Sequence, residues 1–181
     1  MKYFSHYTKI PEVFWSSETG DRFQKCSDCS TDLLAQGTNY LIQKAWQQEE
    51  VICEYALCLN CVNTLRETLS LKSKQLVENF YNEHVNFEQR MIDLIENCDV
   101  NTESWIDHCI ITQKHRSKCS AYQIYGWFID HDIVFTGMPY MISGDAVEAI
   151  MNLLSNETLG SLDDFAGRIL GLDLPKGVIP L

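Results

Sequence analysis

The chain has 181 residues, 45% apolar and 11% aromatic, with 14 basic against 25 acidic side chains for a formal charge of −11. That composition supplies a hydrophobic core without disulfide help and excludes a disordered tail or linker. The acidic balance argues against a nucleic acid or an anionic membrane surface as ligand, since both need a positive footprint, and there is no run of about 20 apolar residues to cross a bilayer.

The opening segment, MKYFSHYTKIPEVFWSSETGD, lacks the apolar run of a secretion signal, so a cytoplasmic protein is expected, in which lasting disulfides are uncommon. Residues 14–21, FWSSETGD, read as a strand and turn leading into Cys26-Ser-Asp-Cys29. Residues 32–39 form a loop around Gly37. YLIQKAW (40–46) and VICEYAL (51–57) then read as a hairpin joined by QQEE. At Cys58-Leu-Asn-Cys61 the period changes. Val62, Leu65 and Leu69, then Leu76 and Phe80, predict a helix over 59–82 with a break near Ser70. Asn86-Phe-Glu-Gln89 has the form of a capping box and opens a helix over 86–97.

The C-terminal half predicts strands at 122–125 and 133–135 and helices over 143–154 and 161–170. The second of these helices is introduced by Ser161-x-x-Asp164. The tail 175–180 is expected to be irregular. The whole is an α+β protein with two parts, a zinc-binding module over 1–97 and a metal-free α+β module over 98–181.

Eight cysteines in a reducing compartment need an explanation other than disulfides. A Cys-x-x-Cys turn presents two sulfurs on one side, and two such turns complete a tetrahedral shell. Cys26, Cys29, Cys58 and Cys61 fit one structural zinc ion per chain. The competing readings are unliganded core thiols, thiol redox chemistry and an iron–sulfur cluster.

The order of cysteine turn, hairpin, and helix carrying the last two ligands in its first turn resembles the treble-clef zinc fingers. The resemblance implies a zinc-centred core over 20–82, with Cys26 and Cys29 on the knuckle and Cys58 and Cys61 at the helix start. The glycine usual after a knuckle pair is absent, since Ser30 and Val62 follow instead. The segments VFWSSETG, YQIYG, PYMISG and LDDF resemble bacterial cytosolic proteins with paired Cys-x-x-Cys motifs, a resemblance that implies no activity.

Shifted by 82 or 83 residues, the chain shows a faint second copy. Cys26 falls on Cys109, Cys29 on Thr112, YLIQ on YQIY, and Cys58 and Cys61 on Tyr140 and Ser143. Residues 100–155 are therefore expected to form a metal-free version of 20–82. A second zinc site would have to come from Cys98, His108, Cys109, His115, Cys119 or His131, none of which has knuckle spacing.

A shell of four thiolates leaves no open position for catalysis, and neither His-Glu-x-x-His nor a phosphate-cradling glycine pattern occurs. Asp130-His131-Asp132 reads as a solvated hairpin tip. The expected role is structural zinc binding in service of an intracellular protein contact. The acidic surface favours a basic partner, with an exposed Trp15, Trp46, Trp105 or Trp127 as an anchor. The alternatives are a nucleic-acid-associated zinc finger using Lys114-His-Arg-Ser-Lys118, and a metal-independent hydrolase.

Overall fold

The computed structural model describes residues 6–98, 100–171 and 178–180. In chain order the elements are β1 (His6–Lys9), a 3-10 turn (Glu12–Phe14), β2 (Asn39–Gln47), β3 (Glu50–Cys58), α1 (Leu59–Thr68), α2 (Leu71–His84) and α3 (Phe87–Cys98). There follow α4 (Thr102–Trp105), a 3-10 turn (Arg116–Lys118), β4 (Ala121–Ile129), β5 (Asp132–Phe135), β6 (Tyr140–Ser143), α5 (Gly144–Met151) and α6 (Asn156–Leu170).

All six strands join one antiparallel sheet in the order β1-β5-β4-β2-β3, with β6 beside β5 on the same edge of β4. Strands from residues 1–97 and 98–181 thus share a sheet, and β2 against β4 is its centre. The pairing there is reciprocal. Asn39 faces Ile129, Gln47 faces Ala121 and Gln43 faces Tyr125, so residues 82 apart occupy matching places.

Burial on both faces explains why β2 and β4 lack a clean polar alternation. On one face, Tyr40 stacks on Phe128 at 5.3 Å and Phe14 meets Phe128 edge-on at 5.1 Å. Gly126 leaves room there, because a Cβ would lie 2.7 Å from the Phe128 ring and 3.0 Å from Phe14. Trp105 covers Phe135 on the same side. The opposite face bears α1, α2 and α6, and Tyr55 meets Phe165 of α6 at 5.6 Å. Beneath them Gln43 donates to Gln123 at 2.8 Å and to the Ile179 carbonyl at 2.7 Å, and Tyr55 donates to Gln43. Satisfied in this way, the buried amides are tolerated.

The helix predicted over 59–82 breaks at Ser70, whose hydroxyl caps α2 by accepting from Ser73 N. α6 begins earlier than the Ser161 signal, because Ser155 caps it through Thr158 N. The two caps support each other, with Ser70 N donating to Thr158 and Ser155 N to Ser73, both at 3.0 Å. A cap shared between distant helices is a tertiary feature that local spacing does not encode. Residues 14–21 are a 3-10 end and turns rather than a strand. β1 and β6, four residues each, went unrecognised. Of the tail, 175–177 lie outside the described residues, while Val178 and Ile179 are buried without regular structure.

A hydrogen-bond pattern recurs in the loops that precede β2 and β4. Lys25 bridges Asp32, and His108 bridges His115. Cys26 N donates to Thr31 O at 2.8 Å, and Cys109 N to Lys114 O at 2.9 Å. Ser30 N donates to Cys26 O and Gln113 N to Cys109 O, each at 2.9 Å. Ser30 and Gln113 both take left-handed backbone, φ 61 and 58. Ser27 N reaches Ala56 O at 2.8 Å, and Ile110 N reaches Met141 O at 3.0 Å. The helices then start after Cys58 and Ser143 respectively. Cys58 and Ser143 are each the N-cap of the helix that follows, and the amide of each donates to a cysteine sulfur, Cys26 and Cys109 respectively. Residues 136–139 separate β5 from β6, whereas β3 runs unbroken from Glu50 to Cys58.

Candidate metal centre

The four sulfurs come from two elements of different kinds. Cys26 and Cys29 lie on the turn closed by the Lys25–Asp32 bridge. Ser30 ends that turn with φ 61, the conformation for which glycine is usual, at a strain of about 1–2 kcal/mol for a residue with a Cβ. Cys58 is the last residue of β3 and the N-cap of α1, and Cys61 is the third residue of that helix. Ser27 ties the turn to β3, since Ala56 N donates to its hydroxyl at 3.1 Å while Ser27 N donates to Ala56 O.

The four Sγ atoms all lie within 4.8 Å of one another. Cys29 and Cys58 approach to 3.6 Å. A regular tetrahedron with metal–sulfur bonds of about 2.3 Å has edges of about 3.8 Å, so the donor set has the dimensions of one four-coordinate ion. All four are free thiols, and 3.6 Å is far longer than an S–S bond of about 2.05 Å.

No protein-family model, curated protein or solved structure matches the chain.

Cys26 is 2% and Cys58 5% exposed, with Cys61 also buried and Cys29 open to solvent. Cys58 N donates to the Cys26 sulfur at 3.4 Å, the kind of amide contact that orients a thiolate ligand. The Thr31 hydroxyl, 3.1 Å from Cys29 Sγ, is the main reason the Cys29 thiol falls to about 6. Burial pushes the Cys58 and Cys61 thiols up. The helix N-terminus opposes that cost with its partial positive charge. A metal ion held by these thiols would offset it by taking the protons' place.

A carboxylate that the sequence reading missed holds the site to the rest of the molecule. Asp28, inside the turn, receives Arg168 of α6 through Nε at 2.9 Å and Nη2 at 3.1 Å. Its only signal in the sequence is an acidic residue between two cysteines, and its partner is 140 positions away.

The other candidates are placed differently. Among the described residues, His108, Cys109, His115, Cys119 and His131 do not gather into a second donor group, and the side chain of Cys98 lies outside the described residues. Asp130 accepts from Thr38 N at 3.0 Å, His131 contacts Arg22 and Asp132 pairs with Lys9, so the β4–β5 turn is tied to three other segments of the chain. In the basic stretch Lys114 pairs with Asp145 and Arg116 with Glu103. Trp105 is buried, and Trp15, Trp46 and Trp127 are half-buried. Among the described residues, the exposed large apolar side chains are Tyr7, Leu59 and Leu71. None of the described helices is long and apolar enough to cross a membrane.

Proposed function

We propose that Cys26, Cys29, Cys58 and Cys61 hold one structural zinc ion in a closed treble-clef-like site, in a cytoplasmic protein that serves a protein contact. The observation that carries the reading is the gathering of four free thiols, all within 4.8 Å, from a turn and a helix start. Soft thiolates in this geometry favour zinc over harder ions. With no ligand position left over, the metal joins the Cys26–Cys29 turn to the β3–α1 corner and is not a reagent. Loss of the ion would expose three buried thiols to their desolvation cost and release the turn from the sheet.

The second half is read as a duplicate of the first that has lost its metal. The recurring hydrogen bonds and the reciprocal β2–β4 register support this. An isologous contact between equal halves pairs each element with its own counterpart, and that is the pattern of Asn39 with Ile129 and Gln47 with Ala121. In the place of the four sulfurs stand Cys109, Thr112, Ser143 and Ala146, and the Thr112 and Ser143 hydroxyls lie 3.2 Å apart.

The partner reading rests on charge, −11 for the chain, and on Leu59, exposed at the first residue of the ligand-bearing helix. It favours a basic protein surface. The pairing of Lys114 and Arg116 with carboxylates weighs against a nucleic-acid ligand. The test is metal analysis with thiol counting on protein purified anaerobically. One zinc and four protected thiols per chain are expected, and salt-sensitive retention of DNA or RNA would favour the zinc-finger alternative.

A further inference from the structure

The four sulfurs of the metal centre are unequally open to solvent. Cys29 is exposed, whereas Cys26, Cys58 and Cys61 are only 2%, 5% and 9% exposed. A small oxidant arriving from water therefore meets one sulfur of the set first. That sulfur lies 3.6 Å from Cys58 Sγ, and a disulfide needs the two to close to about 2.05 Å. Cys29 sits on the turn and Cys58 at the β3–α1 corner, so a bond between them spans the same two elements as the metal. The ties of the turn that do not involve sulfur, Ser27 to Ala56 and Asp28 to Arg168, precede Cys29 directly. They keep it opposite Cys58 while one metal bond breaks.

We propose that, with zinc bound by the four cysteines as read above, the centre is a reversible switch operated by hydroperoxides: Cys29 and Cys58 join as a disulfide and the ion is released. A metal-bound sulfur is already a thiolate. The Cys29 sulfur attacks one oxygen of the peroxide, the O–O bond breaks, and Cys29 becomes a sulfenic acid while the other oxygen leaves as water or an alcohol. Cys58 then attacks the Cys29 sulfur and displaces hydroxide. Two thiolates thus give two electrons to one peroxide. Two protons complete the departing oxygens, and two more convert Cys26 and Cys61 to thiols, which do not fill a tetrahedral shell. A thiol reductant reopens the disulfide and restores the four ligands. Leu59, the exposed residue on which the partner reading rests, follows Cys58 directly, so the switch acts beside that surface.

The test uses the full chain purified anaerobically with zinc bound. Hydrogen peroxide is added with a chromogenic chelator present, and thiols are blocked before digestion and mass spectrometry. One zinc ion per chain should be released at least about ten-fold faster than to the chelator alone, with a Cys29–Cys58 disulfide and free thiols at Cys26 and Cys61. Dimedone added with the peroxide should label Cys29 ahead of the other three. Dithiothreitol and zinc should restore the metal-bound form. Cys119→Ala, which removes a half-buried thiol outside the site, should release zinc at the parent rate. The proposal is overturned, with the zinc reading left standing, by zinc-loaded protein that keeps its ion under peroxide or by a disulfide within either Cys-x-x-Cys pair. Labelling that begins at a buried sulfur, or slower release in Cys119→Ala, would have the same force. A chain that emerges without zinc overturns both.

Discussion

The backbone amide of Ser143 donates to the Cys109 sulfur at 3.2 Å, just as the amide of Cys58 donates to the Cys26 sulfur at 3.4 Å. One contact lies in the proposed metal site and the other beside the Thr112 and Ser143 hydroxyls, which lie 3.2 Å apart with Ser143 buried and Thr112 exposed. Burial raises the Cys109 thiol's pKa, but donors on Ser143 and Thr112 outweigh it and hold the thiol below its ordinary value.

The duplication reading predicts that the lost site can be rebuilt. Ala146 is the third residue of α5, as Cys61 is the third of α1. The triple variant Thr112→Cys/Ser143→Cys/Ala146→Cys, with Cys109 retained, should bind a second zinc ion, raising the content from one to two per chain by mass spectrometry under native conditions. A content that stays at one would refute the equivalence of the two loops.

Glu54 and Lys44 form a pair at 3.1 Å with side chains only 16% and 5% exposed. Burial raises the Glu54 carboxyl's pKa, yet bonds from Ser17 and Lys44 outweigh it and leave the folded value below the ordinary one. A depressed folded pKa contributes stability that is complete above the unfolded value and lost as pH falls through the folded one. Glu54→Gln should therefore lower stability by about 2 kcal/mol near neutrality. In urea melts the gap to the parent protein should close as pH drops below the carboxylate range, and a gap that widens in acid would reverse the assignment.

Arg168 should link α6 to the cysteine turn. A bidentate Arg–carboxylate contact with one exposed member is worth about 1 kcal/mol. Arg168→Ala should lower the unfolding free energy by about that much and speed metal release to a chromogenic chelator. Unchanged release kinetics would mean that Asp28 holds the turn without help.

The cysteine spacing made the gathering of Cys26, Cys29, Cys58 and Cys61 legible, since each Cys-x-x-Cys turn presents two sulfurs on one side and a hairpin returns the chain to its start. The hairpin and the helix break were legible from the change of period at Cys58 and from Ser70. Short edge strands were not. Tyr140-Met-Ile-Ser143 has no alternation to mark it because all four residues are buried. Asp28–Arg168 and the Ser70–Ser155 cap cluster join residues that meet only after the sheet has brought α6 across the first half. The similar hydrogen bonding of the loops at Cys26 and Cys109 had a trace in the sequence, where a shift of 83 residues brings Cys26 onto Cys109 and Cys29 onto Thr112.

Metal content with and without Cys58 tests the central claim most directly. Binding free energy is folding free energy in a site of this kind, so the parent protein should carry one zinc ion. Cys58→Ser should then lose the ion and melt at least about 10 °C lower in calorimetry. A parent chain that emerges from anaerobic purification without metal and with all its thiols reactive would contradict the account, as would a Cys58→Ser variant with an unaltered melt.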